Sequence, residues 1–212
     1  PSISIITPWS GSTSDLLPDY FAAVQHADQV ITVDNASAHT TASDLVQMHE
    51  QLGGEYIRNA LNKGFAAGNN QGYAVATGDV IVFLNSDIAA QPGWLKAVAA
   101  DVKDGGLYGP ALQQQLVYGM WLPYIEGWCI AATRKMWHKL MCDIGCQVPG
   151  PWDMGTYPGP YWEDNDLCFR ALGQNISLTQ TQWPIRHKGG RSAGPLVAHG
   201  DTFERNRATF AA

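Results

Sequence analysis

Val80-Ile81-Val82-Phe83-Leu84-Asn85-Ser86-Asp87 decides how the rest of the chain is read. Its apolar part shows none of the alternation of a half-exposed strand, so it reads as a strand covered on both faces, ending in an amide, a hydroxyl and a carboxylate. Strands of this kind build parallel sheets flanked by helices, and such sheets bind ligands beyond the carboxyl ends of their strands. Upstream, residues 3–7, 30–34 and 56–57 repeat the pattern, separated by helical periodicity over 16–26, 43–52 and 66–76. The order is β-α-β-α-β-α-β. The strand ends read Thr7-Pro8-Trp9, Asp34-Asn35-Ala36-Ser37, Arg58-Asn59 and Asn85-Ser86-Asp87. Any one of them is ordinary helix capping; four together point to a site.

Past Gly105 the alternation stops. Strand-like pieces at 107–108, 129–132, 176–179 and 184–187 mix with helices near 135–141 and 164–172 and a Pro/Gly/Trp loop over 147–161. With no repeat and no linker, the expectation is one α/β domain over residues 1–212: a mixed, mostly parallel sheet with flanking helices. Residues 1–105 would form one half and 106–212 a smaller second lobe. The 212 residues carry 15% charged side chains and a net charge of -6, with a pI near 5.4. That composition excludes disorder and offers no basic surface to nucleic acid. No apolar run approaches the roughly 20 residues of a membrane span, and residues 1–10 have no signal-like character, so the chain reads as soluble and cytoplasmic.

Four segments carry chemistry. Asn62-Lys63-Gly64-Phe65-Ala66-Ala67-Gly68-Asn69-Asn70-Gln71-Gly72 opens a helix whose glycines allow close approach and whose start offers N–H groups to an anion or a base edge. It matches neither the dinucleotide glycine pattern nor a P-loop. Asp87 is a hard-oxygen ligand for a divalent cation that also holds a diphosphate, with Asn85 two residues earlier. Trp162-Glu163-Asp164-Asn165-Asp166 starts a helix with more carboxylates than dipole compensation needs, so one of them is a candidate general base. Arg186-His187-Lys188-Gly189-Gly190-Arg191-Ser192 is basic and glycine-rich, suited to a diphosphate, with His187 a candidate metal ligand. Trp128, Trp152 and Trp162 offer flat faces to sugar rings. His138, Cys142 and Cys146 share a helix face only if the helix near 135 continues; lacking a fourth ligand, the cysteines read as buried thiols.

In order and spacing these segments resemble the GT-A fold, family 2 glycosyltransferases. The resemblance runs through Thr7-Pro8, Val33-Asp34-Asn35-Ala36-Ser37, the 62–72 glycine segment and Leu84-Asn85-x-Asp87 as a DxD variant. It continues through Gly127-Trp128, Glu163-Asp164-x-Asp166-Leu167-x-x-Arg170, His187-x-Gly189-Gly190 and Asn206-Arg207. It implies an inverting transfer of a sugar from a UDP- or dTDP-sugar to a hydroxyl of a glycan or other acceptor. Thr7, Pro8, Asp34, Asn62, Gly64, Asn69, Asn85 and Ser86 would surround the nucleotide sugar. Asp87 and His187 would hold Mn²⁺ or Mg²⁺, Asp164 would be the general base, and Gly127, Trp128, Trp162 and Glu163 would face the substrate. Asn85, standing where the motif has its first acid, lowers the ligand charge. A sugar-phosphate nucleotidyltransferase would need a basic glycine-rich loop after the first strand, where Trp9-Ser10-Gly11-Ser12-Thr13 stands instead. A binding module without catalysis would need neither Asp87 nor Asp164.

Overall fold

The computed structural model of the chain describes residues 1–117, 119–142, 148–157, 161–189 and 199–210. Strand β1 (Ile3–Trp9) leads through a 3-10 turn (Ser14–Leu16) into α1 (Leu17–Val24). Then follow β2 (Gln29–Asn35), α2 (His39–Leu52), β3 (Glu55–Asn59), α3 (Phe65–Val75) and β4 (Val80–Leu84). These strands lie parallel in the order β3-β2-β1-β4, with Ile5 opposite both Val30 and Val82. The expected alternation is present throughout.

Next come β5 (Ile88–Ala90), α4 (Trp94–Asp101), β6 (Gly106–Gly109), a hairpin of β7 (Leu112–Val117) and β8 (Met120–Ile125), and β9 (Cys129–Thr133). The remaining elements are α5 (Arg134–Lys139), α6 (Glu163–Gly173), β10 (Ser177–Gln180), β11 (Ile185–His187) and α7 (His199–Phe210). Strand β9 runs antiparallel to β4, with Cys129 opposite Leu84, so the residues preceding β9 arrive at the carboxyl end of β4. The full order, β10-β6-β9-β4-β1-β2-β3, draws one sheet from both halves of the chain.

Successive residues of one strand feed two separate cores. Ile3, Ile5, Val80, Val82 and Leu84 pack with Tyr20, Leu45 and Val98 on one face; Ile6, Ile81 and Phe83 pack with Ala66, Trp137 and Leu167 on the other. Each such side chain, fully buried, stabilises by about 1.5–3 kcal/mol, which is why these strands are apolar without interruption. A Cβ on Gly72 would lie 2.3 Å from Ile6 Cγ2, and one on Gly68 3.0 Å from Pro8 Cβ. Glycines one turn apart therefore let α3 lie directly on β1.

Helix α5 ends at Lys139, so it does not carry Cys142 onto the face of His138, and Cys146 lies outside the described residues. Cys129 and Cys168 are buried free thiols. Among the described residues no helix is long and apolar enough to cross a membrane.

Candidate active site

Asp87 lies just past β4 and is fully buried. His187 closes β11, which pairs antiparallel with β5 and sets His187 opposite Ile88. That register brings His187 Nε2 to 2.9 Å from Asp87 Oδ1, while the Asp87 carbonyl accepts the Lys188 N–H at 2.8 Å. The Trp128 indole lies on the imidazole, with ring centres 5.3 Å apart and planes 3° from parallel. Asn85 Nδ2 is 3.5 Å from His187 Nε2, and the Asn85 N–H donates to the Trp128 carbonyl at 2.8 Å. Neighbouring corners of an octahedron with metal–ligand distances of about 2.1 Å are about 3 Å apart, so an oxygen and a nitrogen at 2.9 Å fit one small divalent cation. No group of three or more His, Cys, Asp or Glu side chains is placed for a metal among the described residues. Lys188 forms an ion pair with Asp19; Gly190, Arg191 and Ser192 lie outside the described residues.

Asp164 is the second residue of α6, whose first turn follows Trp162 at a left-handed φ of 77°. Asp164 Oδ2 accepts the Gly127 N–H at 2.9 Å and Oδ1 accepts the Asn165 N–H at 2.9 Å. A Cβ at 127 would sit 3.4 Å from Asp164 Cβ, in ordinary van der Waals contact. Burial pushes the Asp164 carboxyl up to about 6 against the pull of the Gly127 and Asn165 amides, and the Glu126 charge acts with burial. Burial likewise raises Glu163 to about 8, with the Asp164 charge adding to it. Asp166, also raised by burial, is paired with Arg170 at 2.7 Å. The three acids thus divide into a group protonated at neutral pH, a structural ion pair, and one carboxylate that ionises near 6.

Residues 126–128 join these two places. Gly127 holds Asp164, Trp128 covers His187, and Glu126 accepts the Trp128 indole N–H on Oε2 at 2.8 Å and the Gln113 amide on Oε1 at 3.0 Å.

The expected nucleotide-binding residues fall into two groups. Asn69 and Ser86 are buried, and their side-chain polar atoms have no partner among the described residues. Asn62 is exposed and accepts the Gly64 N–H at 2.8 Å, which withdraws that amide from any anion. Gly64, at φ 87°, presents its carbonyl to Asn35 at 3.0 Å. Pro8 lies under α3. Thr7, near the end of β1, is fully buried beside Tyr20.

Asp34 is also inside, its Oδ1 accepting the Ser37 N–H at 2.7 Å and its Oδ2 accepting the Tyr56 hydroxyl at 2.5 Å and the Arg58 guanidinium. Protein donors thus reach both oxygens of Asp34. Trp162 is corrected. It is 1% exposed, packs with Val117, Tyr157 and Phe210, and has no open face for a sugar. Glu163 is 4% exposed beside it, and Trp128 has one face taken by His187.

Glu126, Tyr56 and Arg58 were not singled out from sequence for these contacts. Arg58 stands directly opposite Asp34 in the β2–β3 register, a signal available once the two strands are aligned.

The sequence model of Glycosyl transferase family 2 matches residues 4–154. A pre-mycofactocin glycosyltransferase of Mycobacterium tuberculosis is 38% identical over 71 residues, which is 33% of this chain and 15% of that protein. The mannosyltransferase PcManGT of Pyrobaculum calidifontis, in complex with GDP-Man and Mn²⁺, superposes at TM-score 0.65 and 16% identity over 85% of this chain and 55% of that one. GalNAc-T7 with UDP, GalNAc and Mn²⁺ gives 0.70 at 12% identity over 92% and 45%. S. aureus TarS with UDP-GlcNAc gives 0.64 at 15% over 99% and 65%. This chain therefore spans less than two thirds of each, and likeness at such identity shows a shared fold, GT-A, rather than shared substrates. Because the family match runs from β1 through the Asp34 strand end, α3, the tip of β4 and residues 126–128, the chain belongs to glycosyltransferase family 2.

Proposed function

We infer that this chain is an inverting, metal-dependent hexosyltransferase that moves a sugar from a UDP- or dTDP-sugar to a hydroxyl of a glycan acceptor. The observation that carries the reading is the 126–128 segment, in which Gly127 donates to the Asp164 carboxylate and Trp128 stacks on His187, itself 2.9 Å from Asp87. The complexes of the structural neighbours with nucleotide sugars, UDP and Mn²⁺ support the donor class and the cation.

Asp87 Oδ1 and His187 Nε2 would hold Mn²⁺ or Mg²⁺. When bound, the cation neutralises charge on the departing nucleoside diphosphate. Asp164 accepts the proton of the acceptor hydroxyl as its oxygen bonds to the anomeric carbon and the bond from that carbon to the diphosphate oxygen breaks. A single displacement with nucleophile and leaving group on opposite sides inverts the anomeric centre. A carboxyl that ionises near 6 is a stronger base than an ordinary aspartate and is still largely ionised at neutral pH. The buried Asn69 amide and Ser86 hydroxyl are groups a bound nucleotide sugar would satisfy.

Calorimetric titration of UDP, dTDP and GDP, each with Mn²⁺ and with EDTA, tests the reading. UDP or dTDP should bind with Mn²⁺ and lose affinity in EDTA. Equal affinity in both would remove the cation role. Binding of a nucleotide sugar without transfer to any acceptor hydroxyl would favour a binding module.

A further inference from the structure

Glu126 accepts from two donors: the Gln113 amide at 3.0 Å and the Trp128 indole N–H at 2.8 Å. The two donors fall on separate oxygens, Oε1 and Oε2, and a carboxylate offers both as charged acceptors where a glutamine has one acceptor oxygen and a second group that donates. The indole bond is charge-assisted and in the ring plane, so it fixes the rotation of the indole. That plane lies 3° from the His187 imidazole at 5.3 Å. The imidazole is thus held on its face by Trp128 and at its edge by Asp87 at 2.9 Å. The backbone of the segment is tied separately, through the Glu126 N–H to the Ala111 carbonyl at 2.9 Å and the Asn85 N–H to the Trp128 carbonyl at 2.8 Å. The Glu126 side chain is therefore not needed to place the loop.

The geometry points to Glu126 as a positioning residue that fixes the His187 ring against Asp87 through the Trp128 indole, and so sets how tightly the pair holds a divalent cation. The cation half of this statement rests on the proposed function; the ring-orientation half does not. Groups that orient metal ligands from behind typically change metal affinity by about 10- to 100-fold when removed.

The test uses the full chain as wild type, Glu126→Ala, Glu126→Gln, Trp128→Phe and the Ala/Phe double variant. In metal-free protein, the His187 ring protons stacked under an indole are shielded, and their NMR shifts report the stacking directly. They should move toward unshielded values in Glu126→Ala, with melting temperature little changed, and be partly restored in Glu126→Gln. With UDP present, Mn²⁺ affinity by electron paramagnetic resonance should fall about 10- to 100-fold in Glu126→Ala and Trp128→Phe. The double variant should bind no more weakly than the worse single, because both remove one link. Unchanged His187 shifts in Glu126→Ala would overturn the proposal, as would shifted protons with wild-type Mn²⁺ affinity. If the shifts move but wild type binds no Mn²⁺ with UDP, the cation reading of the site falls while the positioning of His187 stands.

Discussion

Asp34, fully buried at the end of β2, and Asp164, half-buried at the start of α6, are both carboxylates set where a regular element meets a loop. Around Asp34 the chain supplies a backbone amide from Ser37, a phenol from Tyr56 and a guanidinium from Arg58. Around Asp164 it supplies two backbone amides and two neighbouring acids, Glu126 and Glu163. A buried carboxylate matched by donors and a cation ties strands together. One matched only by amides and set beside other acids resists ionisation, which suits the base role proposed for Asp164. The two sites show that placement at an element end does not decide a carboxylate's role; its donor set does.

Exchanging the function of the two sites by mutation separates them most strongly. Asp164→Asn keeps the shape and the amide contacts but removes the base, so turnover should fall by about 10²-fold or more with nucleotide-sugar affinity little changed. Asp34→Ala should act on stability: the Tyr56 hydroxyl and the Ser37 amide lose their acceptor, at about 1–3 kcal/mol for each buried group left unmatched, read by urea unfolding. If Asp34→Ala abolished turnover in a fully stable protein while Asp164→Asn merely unfolded, the comparison would be reversed.

A smaller effect concerns Glu163. Its folded value near 8 lies above the ordinary 4.5, so its contribution to stability is complete below about 4.5 and is lost as pH rises through 8. Glu163→Gln removes that loss. The variant should melt close to wild type at pH 5 and above it at pH 9, and a constant difference across that range would show that burial is not what holds the proton. Smallest is Tyr56→Phe, which removes one of the donors on Asp34 and should cost about 1 kcal/mol with no change in the pH dependence of turnover.

What the sequence made legible follows from what each feature depends on. The β1-to-β4 alternation was readable because parallel strands are buried on both faces and so are apolar without a break. Asp87 was readable because a polar residue at the tip of such a strand needs a reason. The β7–β8 hairpin was not, since Gln113-Gln114-Gln115 gives no alternation in a pair of strands that stands apart from the main sheet. His187 reads as a candidate metal ligand from its basic, glycine-rich segment, but its place beside Asp87 depends on β11 pairing with β5 about 100 residues away. Trp162 misled: next to an acidic helix start it reads as a sugar platform, but its left-handed backbone turns the ring inward onto Tyr157 and Phe210. The Tyr56 and Arg58 partners of Asp34 lie on the neighbouring strand, and only the register reveals them.

The pH dependence of kcat/KM tests the central claim, that Asp164 is the base, most directly. With the donor identified by calorimetry, log kcat/KM of wild type should rise with unit slope up to an inflection near 6, where the buried carboxyl ionises, and then level off; in Asp164→Asn the residual rate should show no inflection there. A wild-type profile flat from pH 5 to 7.5 on the scale expected for a group near 6, or the same acid limb persisting in Asp164→Asn, would contradict it.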